Sequence, residues 1–319
     1  MNKQRLITWF LVGSVLIVAL LPGGRVTPAA AQTISPFDLR TNPLYLIASY
    51  YNAITLRDYT RAYNYWEGHP PANATYAQFV QGFTGVQSVR ALARLPLTVE
   101  GAAGTLYVSV PVVLLSTLQT GAQQIFAGCF QLSKPNMPVG NPPVIDSNWH
   151  LNSAVLSAAT SVDFVQAVNA CTRVESFPTA GQIENRTTPI DLINSYYDAI
   201  AAKNYTRAFN YWQGGAPGQT FAQFSQGFAA TSEIGVIVAL DFQIGAAGGS
   251  TYAASPLLIL SKANGVQQYF VGCVVARQSN VPAGNPPVID PNWYLYNANT
   301  YAVTSRDAAL QQVWGVCAP

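Results

Sequence analysis

The chain reads as an α+β protein made of two tandem copies of one domain, each copy three helices followed by antiparallel strands. Three observations carry that reading. The stretch Pro43 to Glu67 recurs as Pro189 to Gln213, with 15 of 25 positions identical at a fixed offset of 146. A later stretch, Gly140 to Trp149, recurs as Gly284 to Trp293 at nine of ten positions, offset 144. Within each copy the apolar period changes from helical spacing to strand alternation. Copies of about 130 residues exceed solenoid repeats and match the usual size of a domain. The boundaries follow: a leader over 1–31, a first domain over 42–173, a linker over 174–187 and a second domain over 188–319.

The elements can be justified in order. Asn42-Pro43 and Thr188-Pro189 each pair a capping side chain with proline at the first helical position. Leu44, Ile47, Tyr51 and Ile54 then recur at helical spacing, as do Ile190, Ile193, Tyr197 and Ile200. Asp58 and Asn204 cap a second, short helix with the ring-rich stripes Tyr59, Ala62, Tyr63, Trp66 and Tyr205, Ala208, Phe209, Trp212. Thr75-x-x-Gln78 and Thr220-x-x-Gln223 are capping boxes that open a third helix. Strands follow, separated by glycine turns at Gly101 to Gly104 and Gly245 to Gly249, with Asn264-Gly265 a strong hairpin signal. Pro111 and Pro256 align within one strand, which suggests an edge position or a bulge. Trp149 and Trp293 open the last strand of each copy.

This order resembles the nuclear transport factor two-like superfamily, which also holds the ketosteroid isomerases. The resemblance rests on the Tyr-Tyr-x-Ala-Ile opening (Tyr50 to Ile54, Tyr196 to Ile200). It rests equally on the Tyr-Trp close of the second helix (Tyr65-Trp66, Tyr211-Trp212) and the tryptophan before the last strand. It implies a cone, a curved antiparallel sheet wrapped around a long helix with a pocket at the open end. It also implies that two cones can pack as a twofold-like pair.

Half of the 319 residues are apolar and 9% are charged, ample for two cores. Lys3 and Arg5 precede a 15-residue apolar run, Ile7 to Leu21, and Ala29-Ala30-Ala31 offers a cleavage site. The run is shorter than the roughly 20 residues that span a bilayer, so a cleaved secretory signal is the expectation, and with it a secreted or cell-surface location. Removing Lys3, Arg5 and Arg25 leaves 13 basic and 14 acidic residues, a balance unsuited to nucleic acid. Four cysteines allow three pairings. A domain copied with its own bridge selects Cys129–Cys171 and Cys273–Cys317.

The chemistry-bearing residues favour binding over catalysis. An isomerase or dehydratase of the resembled kind needs a carboxylate base in an apolar pocket. Asp241, in an apolar strand segment, faces Leu97 in the other copy, and Asp198 faces Asn52. Asp146, Asp290, Asp163 and Asp307 are duplicated but sit in turn or cap contexts. His69 and His150 are not duplicated, and no clustered metal-ligand spacing, nucleophile elbow or phosphate loop occurs. No cofactor or metal is expected. The ring cluster is the best ligand candidate: Tyr50, Tyr51, Tyr65 and Trp66 with Arg61, and Tyr196, Tyr197, Tyr211 and Trp212 with Arg207. Adjacent tyrosines cannot share one helical face, so one of each pair should turn inward and the other to a pocket or the surface. The partners implied are a small apolar or glycan-like ligand, or a cell-surface protein. Asn73, Asn185 and Asn204 fit the glycosylation pattern.

Overall fold

A computed structural model describes residues 37–68, 74–138, 146–162, 164–171, 180–284 and 287–317. The signal segment 1–31, linker residues 174–179, His69, Asn73 and Asp163 lie outside the described residues. Pro36–Pro319 forms one compact unit.

The first half runs α1 (Pro43–Thr55), α2 (Tyr59–Tyr63), α3 (Tyr76–Phe83), β1 (Val86–Leu95), β2 (Val99–Ala102), β3 (Thr105–Leu118), β4 (Gln123–Pro135), β5 (His150–Ala159) and α4 (Phe164–Ala170). The second half repeats that order. It runs α5 (Pro189–Ala201), α6 (Tyr205–Asn210), α7 (Phe221–Phe228), β6 (Thr231–Ala239), β7 (Gln243–Ala247), β8 (Ser250–Ala263), β9 (Val266–Ser279), β10 (Tyr294–Val303) and α8 (Arg306–Gln312). The fold is mixed α+β around a large antiparallel sheet.

Local chemistry sets the helix starts. The Asn42 side chain accepts the Leu44 N–H at α1, and Thr188 accepts the Asp191 N–H at α5. Asp58 and Asn204 cap α2 and α6. Thr75 with Gln78 and Thr220 with Gln223 close reciprocal capping boxes on α3 and α7.

The strands form one ten-stranded sheet in the order β10-β9-β8-β6-β1-β3-β4-β5, with β2 on β3 and β7 on β8 outside that path. The halves therefore share a sheet, joined where β1 pairs β6 antiparallel from Leu92↔Ala239 to Leu95↔Val236. The ladder gains one more bond, from the Leu240 N–H to the Ala91 carbonyl at 2.9 Å. Pro111 and Pro256 sit in neither an edge strand nor a bulge. β3 lies between β1 and β4, and β8 between β6 and β9. Register supplies the reason. β1 covers β3 from Val112 onward and β2 covers it up to Val108, so Pro111 falls in the gap between two partners. Pro256 falls in the matching gap, between Ala254 opposite β7 and Leu257 opposite β6. A missing N–H there interrupts no ladder on that side.

The joint extends beyond the strands. Ala93 stands opposite Val238, and the cap of one long helix meets the cap of the other: Asn42 Nδ2 donates to Thr188 Oγ1 at 3.2 Å and to Asp191 Oδ1 at 3.1 Å. Burial raises the Asp191 carboxyl above its ordinary pKa, against the pull of hydrogen bonds from Thr188, Thr187 and Asn42. Asn194 clasps Leu97, donating to its carbonyl at 3.0 Å and accepting its N–H at 3.3 Å. Tyr45 packs edge-on against Phe242 with centroids 4.9 Å apart. On one face of the sheet a single apolar core runs through both halves, from Leu44 and Ile54 of α1 to Ile193 and Ile200 of α5.

The opposite face carries two helices that the sequence reading lacks. α4 packs on β3 and β4, and α8 on β9 and β10. Both are seven residues long, too short for a periodic stripe. They reach the sheet through small contacts: Ala167 and Ala309, both fully buried, beside Phe164 and Val313. Trp314, just past α8, reaches across the joint to lie beneath Arg90 of β1, 5.3 Å from ring centroid to guanidinium. Each short helix is pinned by a disulfide to the strand it covers, Cys129–Cys171 and Cys273–Cys317. The glycines before Cys129 and Cys273 are required by close approach. A methyl group on Gly128 would overlap the Val155 carbonyl, and one on Gly272 the Asn299 carbonyl.

Replacing Cys273 and Cys317 together by serine frees a loop of 44 residues in the unfolded chain. Denaturant unfolding is expected to show about 4 kcal/mol lower stability in the chain-entropy account.

Candidate functional site

The site grows from the long helices. Eleven of the thirteen residues of α1 are buried, so the adjacent tyrosines do not divide between core and surface. Tyr50 and Tyr51 are both enclosed, with ring centroids 4.9 Å apart, and Tyr50 meets Trp66 at 5.9 Å. The second half repeats this: Tyr196 to Tyr197 is 5.0 Å and Tyr196 to Trp212 is 6.1 Å. In the first half neither ring turns to the surface, because β1 closes one side of α1 and α2 packs against it, whereas in the second half both rings of the pair border a cavity and Tyr197 is only half-buried.

The halves differ one layer below. Across three strands of the first half, Val110, Phe130 and Ala154 face one another in register. The corresponding row of the second half is Ser255, Val274 and Ala298. Phe130 is 1% exposed, and its ring packs against Tyr50 at 6.3 Å, Tyr51 at 6.2 Å and Trp66 at 6.3 Å. Val274 supplies no ring to the equivalent group. A cavity of about 350 Å³ lies there instead, walled by Tyr196, Tyr197, Trp212, Phe224, Phe228 and Phe270. Ile193, Ile259, Val274 and Leu295 add aliphatic surface, while Gln219, Gln268 and Thr300 are exposed at its rim. No residue of the lining is Asp, Glu, His, Lys or Arg. The tyrosines contribute neutral hydroxyls, since burial pushes the Tyr196 and Tyr197 phenols well above their ordinary pKa. Such a wall can enclose an uncharged molecule and offer it rings and a few hydroxyl or amide groups.

The remaining candidates are held elsewhere. Tyr65 is buried and donates to Asp38 Oδ1 at 2.8 Å; Tyr211 is buried and donates to Glu184 Oε2 at 2.5 Å. Arg61 bonds the Phe37 carbonyl at 2.8 Å, Asn52 Oδ1 at 3.0 Å and Asp58 Oδ2 at 2.9 Å. Arg207 bonds the Gly181 carbonyl at 2.8 Å and Asp198 Oδ2 at 2.7 Å. Each arginine thus straps the segment before its long helix onto that helix. Asp198 completes the second strap by accepting the Gly181 N–H at 2.8 Å and the Ile183 N–H at 3.1 Å. With three donors on a side chain 2% exposed, it is a structural carboxylate. Asp241 is exposed in the turn between β6 and β7, outside the cavity lining.

Asp146 and Asp290 organise turns, accepting the Asn148 and Asn292 N–H groups at 2.9 Å each. Asp290 also takes the Tyr294 hydroxyl at 2.7 Å, where Asp146 meets His150 Nε2 at 2.9 Å. The hydrogen bond from Tyr294 is the main cause that lowers the Asp290 pKa. Sequence reasoning missed Phe130 and Val274. The signal was present, because the Gly-Cys dipeptides fix the alignment and Phe130 and Val274 each follow the cysteine directly.

No family model matches the chain, and no curated protein matches it. One solved structure, described as an "Ntf2 like protein involved in plasmid conjugation", aligns over 82% of this chain and 95% of that one. Its sequence identity is 13% and its TM-score 0.19, which carries no assignment of fold or function.

The buried phenols make stability sensitive to alkali. In the unfolded chain they ionise near pH 10, whereas burial raises Tyr65 to about 12 and Tyr50, Tyr51, Tyr196 and Tyr197 further. Above pH 10 the folded state therefore binds more protons, and stability falls as pH rises. The phenolate absorbance of these buried rings is expected to appear together with loss of the folded circular-dichroism signal. Free titration of all tyrosines near pH 10 in a folded chain would contradict it.

Proposed function

We propose that this chain is an exported binding protein of two duplicated cone domains, resembling the nuclear transport factor two-like superfamily, in which the second domain holds a small apolar ligand. The observation that carries the proposal is the ring-walled cavity of about 350 Å³, within the usual size range of ligand pockets. Its uncharged lining favours binding over proton-transfer chemistry, for which a positioned acid or base is needed. The alternative of an isomerase or dehydratase places its base at Asp241 or Asp198. The first is exposed outside the cavity and the second is committed to three donors. A glycan fits less well than an apolar molecule, since polar groups gather at the rim. Export is supported by the signal-like leader and by one formed disulfide in each half.

The test is a titration with phenylnaphthylamine, a neutral dye that brightens in apolar surroundings. One saturable site per chain is expected, and Val274→Phe should remove it while stabilising the fold by about 1 kcal/mol through cavity filling. Absence of saturable binding by the unaltered chain would sink the reading. Phe130→Ala should do the reverse, costing about 3–5 kcal/mol and opening a second dye site in the first half.

A further inference from the structure

The face of the sheet that carries the short helices has a groove on each side of the β1–β6 joint. One, of about 540 Å³, runs between β1, β3 and β4 of the first half and α8 of the second. The other, of about 270 Å³, runs between β6, β8 and β9 of the second half and α4 of the first. They are counterparts, each walled by the strands of one half and the short helix of the other. One pair of facing residues sets them apart. Just past the bulge in each first strand, Ser88 stands opposite Thr117 and Glu233 opposite Lys262. Lys262 donates to Glu233 at 3.1 Å, so the smaller groove is spanned by an ion pair. Ser88 and Thr117 are short, make no hydrogen bond to each other and leave the larger groove open.

The polar side chains of the larger groove are uncommitted. Ser88, Thr117, Gln123, Gln311 and Asp307 have no side-chain hydrogen bond or ion pair with any described residue. Asp307 is not the cap its sequence context suggests, because Ser305 caps α8 through the Ala308 N–H. Arg90 lies over the Trp314 ring at 5.3 Å, which holds its guanidinium beside the groove with its N–H donors unused by the described residues. Trp314, half-buried, and Leu115 and Leu310 supply apolar surface among these groups. Arg61, Arg207 and Asp198, by contrast, are all spent on straps. A sugar has apolar C–H faces and a ring of hydroxyls that both donate and accept. An indole with aliphatic patches, set among free hydroxyl, amide, carboxylate and guanidinium groups, meets both needs. We propose that this groove binds a neutral oligosaccharide. Its C–H surface lies against Trp314 and Leu310, and adjacent hydroxyls bond Asp307, Gln311 and Gln123. Asp307 and Arg90 balance each other in charge, so the groove does not select an anion. The site is separate from the ring-walled cavity, which belongs to the core on the other face of the sheet.

The experiment is calorimetric titration of the full chain with neutral oligosaccharides of glucose, mannose, galactose and arabinose. At least one is expected to bind saturably with a Kd below about 1 mM, and its sulfated form no more tightly. The double variant Ser88→Glu with Thr117→Lys copies the pair that already stands in the smaller groove. It should weaken the sugar at least about tenfold while melting and phenylnaphthylamine binding stay unchanged. Asp307→Ala removes an exposed side chain without a partner and should cost about tenfold, the worth of one hydrogen bond to a charged group. If the double variant fails to fold, Asp307→Ala decides alone. No saturable binding to any of the four sugars, or an affinity that survives these substitutions, would overturn the inference. So would tighter binding of the sulfated form, which would assign the contact to the charge of Arg90. Displacement of the dye by the sugar would also overturn it, by placing the sugar in the ring-walled cavity.

Discussion

The pairing of β1 with β6 is the constraint from which the rest of the arrangement follows. Four register pairs and one flanking hydrogen bond turn two sets of five strands into one sheet. Those strands would otherwise each present an unpaired edge, the most interaction-prone surface a sheet has. Joining them also brings the starts of the long helices together, so that Asn42 caps α1 through its oxygen and bonds Thr188 and Asp191 through its nitrogen. One amide side chain thereby satisfies a helix start and the joint at once. The joint is not symmetric in detail. Asn194 clasps Leu97 from one side, while Tyr45 and Phe242 close the other with rings.

With the frame held in common, the halves differ in what fills it. The tyrosine pair and the tryptophan recur at nearly the same separations in both halves, so the walls are shared. One side chain on β4 or β9 decides whether they enclose a ring or a space. Dense packing is the rule in protein interiors, and a void walled by six rings forgoes contacts that the first half makes with Phe130. The straps formed by Arg61 and Arg207 explain why two conspicuous cations are absent from the cavity: both are used to fasten the chain that leads into the long helices.

Much of the fold was legible because it is written in local chemistry. The caps at Asn42, Thr188, Asp58 and Asn204, the capping boxes at Thr75 and Thr220, and the glycine turns all act within a few residues. The disulfides were legible for another reason, since duplication removes the ambiguity of pairing. What was not legible is non-local. Pro111 misled because strand neighbours can hand over from β1 to β2 mid-strand, which no reading of β3 alone reveals. α4 and α8 escaped because short helices with alanine contacts leave little periodic trace. The ring candidates of the two halves have different surroundings: Tyr196, Tyr197 and Trp212 line the cavity, whereas Tyr50, Tyr51 and Trp66 surround Phe130. Only a column-by-column comparison of the copies, continued past the cysteines, separates the two cases.

Two subunits that meet edge to edge come apart on dilution, at a concentration set by their affinity. Here the partners of the β1–β6 ladder are parts of one chain, so their effective concentration is fixed by covalent connection and does not fall with the amount of protein present. The ladder can therefore be short. Four pairs, backed by two helix caps and a few rings, would make a modest interface between free subunits. Within a single chain the same contacts hold at any dilution, and each half is free to change its interior without having to preserve a surface that recognises an identical copy of itself.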